Sequence, residues 1–84
     1  MSWRVGQVVK PIQNSPPYYF YIEPPISKTD PTFLLTNIPF EKNDFGIILR
    51  VIVSKKFKND IFLKIRTSHG YTGWLWSGSV QTLI

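Results

Sequence analysis

The chain has 84 residues, 43% of them hydrophobic and 15% aromatic, enough apolar surface for one modest core and too much for a disordered tail. It contains no cysteine, which removes disulfide staples, thiolate metal sites and a cysteine nucleophile. Ten Lys and Arg against five Asp and Glu give a formal charge of +5, which suits a phosphate backbone or an acidic protein face.

Met1 to Gln7 lacks the basic stretch and apolar run of a secretory signal, and no apolar run approaches the roughly 18 residues of a membrane span. A cytoplasmic protein without a membrane partner is expected. In chain order, Val5 to Lys10 predicts a first strand stopped by Pro11, which has no N–H to give to a ladder. All seven prolines lie between Pro11 and Pro39; they exclude a long helix there and favour extended backbone. Inside that stretch Tyr18-Tyr19-Phe20-Tyr21-Ile22 is a short β-forming run.

The second half is patterned more clearly. Gly46 to Val53 is a dense β-branched run, and Ile61 to Arg66 alternates with period two, sending Ile61, Leu63 and Ile65 to the core and Lys64 and Arg66 to solvent. Lys58-Asn59-Asp60 and Ser68-His69-Gly70 read as turns, so two hairpins join three successive strands ending at Tyr71 to Trp76. Without a repeat or a dividing linker, residues 1–84 are expected to form one all-β domain, a small barrel of about five strands.

The run Phe62-Leu63-Lys64-Ile65-Arg66-Thr67-Ser68-His69-Gly70-Tyr71-Thr72-Gly73-Trp74-Leu75-Trp76-Ser77 resembles the end of bacterial SH3-like domains of the SH3b type, where a K-V-R-T strand turns at a glycine and returns as G-x-x-G-W-V. The stretch Ile38 to Leu49 is similar to that family's diverging turn and long central strand. The resemblance implies an SH3-like barrel with a long proline-aromatic loop after its first strand. Gly70 would permit the tight turn, Gly73 a close strand crossing, and Trp74 would plug the interior. It departs from the signalling SH3 domains, in which an exposed proline and aromatics hold a polyproline ligand. Trp76 stands where they carry the ligand-stacking proline, Ser79 where they carry a tyrosine, and Ile61 and Phe62 where a tryptophan opens the strand.

Two surfaces are candidates for binding. Tyr18, Tyr19 and Tyr21 in the long loop, with Trp76, form a prospective protein-binding set, since exposed Tyr and Trp supply large, stiff contact area; their alternative role is to pack the loop onto the barrel. Arg50, Lys55, Lys56, Phe57, Lys58, Lys64 and Arg66 interleave charge with an aromatic ring, as surfaces for single-stranded nucleic acid or an acidic partner do, or else make a solvated turn that protects a strand edge.

Catalysis has few materials. His69 is the sole histidine, it lies at a turn with no carboxylate beside it in sequence, and Glu23, Asp30, Glu41, Asp44 and Asp60 are scattered without metal-ligand spacing. No enzyme activity, metal or cofactor is therefore expected. The leading expectation is a non-catalytic adaptor or inhibitor that recognises a protein partner through the aromatic loop. A nucleic-acid accessory protein and a small structural subunit of a larger assembly are the alternatives.

Overall fold

Short β-branched and aromatic runs punctuated by Gly, Pro and Asn favour strands joined by tight turns, and the computed structural model realises them as one curled antiparallel sheet. It describes residues 3–12, 17–24, 35–54 and 60–83, with backbone alone at position 54. The strands are β1 (Val8–Pro11), β2 (Tyr18–Tyr21), β3 (Leu35–Phe40), β4 (Gly46–Ser54), β5 (Asp60–Thr67), β6 (Thr72–Trp76) and β7 (Val80–Thr82), with a one-turn 3-10 helix at Ser77–Ser79. They stand in the order β3-β2-β6-β5-β4-β1-β7 and form an open half-barrel. The described residues thus give seven short strands rather than about five.

The expected meander is present, β4 pairing with β5 and β5 with β6. Its second turn closes on Thr67, whose N–H donates to the Tyr71 carbonyl at 2.7 Å while its Oγ1 accepts from the Tyr71 N–H at 3.2 Å. Gly70 sits there at φ +88°, a conformation that costs an L-residue roughly 1–2 kcal/mol. β1 begins at Val8, later than the sequence suggests. Residues Val5 and Gly6 form a turn, fixed by hydrogen bonds from Gly6 N–H to the Ile48 carbonyl and from Ile48 N–H to the Gln7 carbonyl. The strand then runs through Pro11, which pairs with Val80 on β7.

Part of the expected loop is a hairpin, β2 with β3. Pro39 is tolerated in β3 because that strand is an edge, where a missing N–H breaks no ladder. The β2–β3 register shifts between Tyr19 and Tyr21. There the Thr36 hydroxyl donates to the Phe20 carbonyl at 2.8 Å and accepts from the Ile38 N–H at 3.1 Å, satisfying groups the ladder leaves over.

Val9, Phe20, Phe40, Ile48, Leu63, Ile65, Leu75 and Val80 make the core, and Trp3, Tyr18, Ile38, Val51, Ile61 and Tyr71 pack against it. Phe20 is its centre, with Phe40 and Tyr71 ring centroids 5.5 and 5.2 Å away. A Cβ on Gly73 would lie 2.8 Å from the Phe20 Cβ, so this glycine is what lets β6 approach β2. Leu63 and Ile65 face inward and Arg66 outward, as the alternation requires. Trp74 does not plug the interior: Gly73 and Leu75 take the inward positions of β6, and period two turns Trp74 to the opposite face. Among the described residues no helix is long and apolar enough to cross a membrane.

Candidate functional site

The outward face of the sheet is built by the same alternation that fills the core. Directly paired residues share a face, so Tyr21, Trp74, Lys64 and Arg50 form one row across β2, β6, β5 and β4, and Trp76, Phe62 and Ile52 form the next. Trp74 and Phe62 are buried although they point away from the core. Each is bracketed across the strands by large neighbours, Trp74 by Tyr21 and Lys64, Phe62 by Ile52 and Trp76.

Of the four aromatic residues singled out as partner-binding, the structure separates Tyr18 from the others. Phe20 is in the core, so Tyr19 and Tyr21 face outward, while Tyr18 lies half-buried against the core cluster. Continuing the Tyr21–Trp74 register by two residues brings Tyr19 to the level of Trp76. Tyr19 and Trp76 are each 45% exposed, unusual for rings of this size. The Trp76 indole lies across the backbone of Gly78, where a Cβ would come within 2.6 Å of its Cζ2 and collide with Cη2 as well. Gly78 therefore seats the ring flat on the 3-10 turn. Ser79 is buried in that turn.

Of the basic set, Lys55, Lys56, Phe57 and Lys58 lie outside the described residues. The remaining three gather on the outward face. The β4–β5 register shifts between Ile48 and Arg50, so Leu49 and Arg50 together oppose Lys64, and both are exposed. This is the geometry of a β-bulge, in which consecutive side chains leave on one side. It sets Arg50 directly opposite Lys64, with Arg66 one outward position along β5 and opposite Ile47. Like charges directly opposed on neighbouring strands are destabilising. Among the described residues the outward positions of β4, β5 and β6 carry one carboxylate, Asp60, which stands at the far end of β5, four residues from Lys64.

His69 finds its carboxylate through space. Its Nε2 is 3.1 Å from Asp44 Oδ1, a residue 25 positions earlier in the chain that no sequence signal linked to it. Asp44 is the structural member of the pair: its Oδ2 accepts the Glu41 N–H at 2.9 Å and its N–H donates to the Glu41 carbonyl at 2.8 Å. The His69 side chain is 76% exposed, and the contact ties the turn between β3 and β4 to the β5–β6 turn. No group of three or more potential metal ligands is found among the described residues. Comparison with family models, with curated proteins and with solved structures finds no match.

Proposed function

We propose that the chain is a non-catalytic SH3-like binding module, an adaptor or inhibitor that takes a protein partner on the outward aromatic surface of Tyr19, Tyr21 and Trp76. The observation that carries this reading is the seated but uncovered Trp76 ring. Nearly half of it is open to solvent while Gly78 fixes its plane, so little rotamer freedom remains to be lost on contact. Exposed Trp and Tyr of this kind are the residues that dominate interface energies.

The SH3-like part of the proposal is supported by the element order. A first strand is followed by a long excursion containing the aromatic hairpin, then a turn, a three-strand meander and a closing strand beside the first. A polyproline ligand is not proposed, because Trp76 replaces the stacking proline and Ser79 is buried.

The test is capture from a native lysate by the chain and by its Tyr19→Ala/Trp76→Ala variant, each with and without nuclease. Capture of a defined protein that survives nuclease and is lost in the variant supports the reading. Capture unaffected by the variant, or abolished by nuclease, refutes it.

A further inference from the structure

The outward face carries a second feature, away from the aromatic end. Phe45, just before β4, and Ile47 and Leu49 within it occupy alternate positions, each 42 to 47% exposed, and line a groove of about 310 Å³ with Arg66 on its wall. A row of large apolar side chains left open on a sheet face marks an interaction surface more often than a solvent face. Its rim is basic: Arg66 stands beside Ile47, and Arg50 and Lys64 follow past Leu49.

We infer that this groove docks an acidic, amphipathic segment of a protein partner. Its apolar side chains would enter between Phe45 and Leu49, and its carboxylates would meet Arg66, Arg50 and Lys64. Charge complementarity selects this occupant. Among the described residues the one outward carboxylate of β4 to β6, Asp60, lies at the other end of β5, four residues from Lys64, so the three cations keep a mutual repulsion that an external anion relieves. A second copy of the chain would bring the same cations against themselves, the penalty of an isologous contact. A single-stranded nucleic acid would need successive rings to stack on, whereas Phe45 is the one ring in the groove and Ile47 and Leu49 are aliphatic. The groove covers four residue steps, roughly 13 Å at about 3.3 Å per residue, so an extended peptide presents alternate side chains to it in step with β4.

The test is a heteronuclear NMR titration of the full chain with three probes: a peptide of about eight residues alternating Glu and Leu, the same peptide with Lys for every Glu, and an oligothymidylate of about eight nucleotides. The inference predicts saturable shifts centred on Phe45, Ile47, Leu49 and Arg66 with the acidic peptide alone. Affinity should fall at least roughly tenfold in Arg66→Gln and in Leu49→Ser, both surface substitutions whose spectra report that the fold is kept. Trp76→Ala should leave this binding unchanged, which separates the groove from the aromatic surface proposed above. Absence of saturable shifts at these residues up to about 1 mM peptide overturns the inference. So does equal binding of the lysine peptide, tighter competing binding of the oligothymidylate, or a concentration-dependent rise in mass with shifts on this face, which would assign it to a second copy.

Discussion

Gly78→Ala tests whether the Trp76 ring is an instrument of recognition or merely a lid on the turn. Its added Cβ would fall 2.6 Å from Trp76 Cζ2, against an ordinary carbon–carbon separation of about 3.5–4.0 Å, so the indole must retreat by roughly 1 Å or more. The ring is the far end of a side chain that is 45% exposed and can move toward solvent, at the cost of an off-rotamer torsion, about 0.5–1.5 kcal/mol. Gly78 is not among the glycines with positive φ. Alanine is therefore compatible with its backbone and regains about 0.4–1 kcal/mol by restricting the unfolded chain. The two terms nearly cancel. A thermal melt should show a midpoint within about 6 °C of the parent, at about 4–8 °C per kcal/mol for a domain this small, while partner binding weakens because the ring has left its plane. A fall of more than about 15 °C would show that the ring is locked into the structure. Together with undiminished partner binding it would refute the reasoning.

Gly73→Ala should behave in the opposite way, because its Cβ would meet the Phe20 Cβ and Tyr71 Cε2 at 2.8 Å, atoms close to the backbone or wedged in the core. Overpacking of about 1–3 kcal/mol is expected, seen as a urea midpoint shifted downward with little change in slope. Arg50→Glu should stabilise the chain by about 0.2–1 kcal/mol, since it turns an opposed like-charge pair with Lys64 into an attractive one. A melt at low salt should show the gain and a melt at high salt should shrink it, while acidic-peptide binding is lost. Asp44→Ala should cost about 1 kcal/mol through the abandoned Glu41 N–H. His69→Ala, at a highly exposed position, should stay within about 0.5 kcal/mol in the same denaturation assay.

The alternation of Ile61 to Arg66 and the turn chemistry at Ser68 to Gly70 made the meander legible, because those signals are local and the strands they predict are neighbours. β3 and β7 were not legible. One contains Pro39 and is admitted only because it is an edge strand, and the other is three residues long and exists through its pairing with β1. Period two showed that Trp74 and Trp76 share a face, but not which face is the core. That is decided by the approach of Phe20 on β2 to Gly73, a contact between distant parts of the sequence. The bulge in β4 was equally hidden, since the unbroken succession Ile47-Ile48-Leu49 carries no parity, and the joint exposure of Leu49 and Arg50 depends on the register with β5. Tyr19 and Trp76 are legible as surface candidates from residue type and position, whereas the groove at Phe45, Ile47 and Leu49 is not, because a dense apolar run reads as buried strand until its neighbours are known.

The most direct test of the account is the capture experiment with the Tyr19→Ala/Trp76→Ala variant. Both side chains are half in solvent and outside the core, so the variant should fold as the parent does. The account predicts a protein partner that is retained after nuclease by the parent chain and is lost by the variant. The same partner held equally by both chains would contradict it.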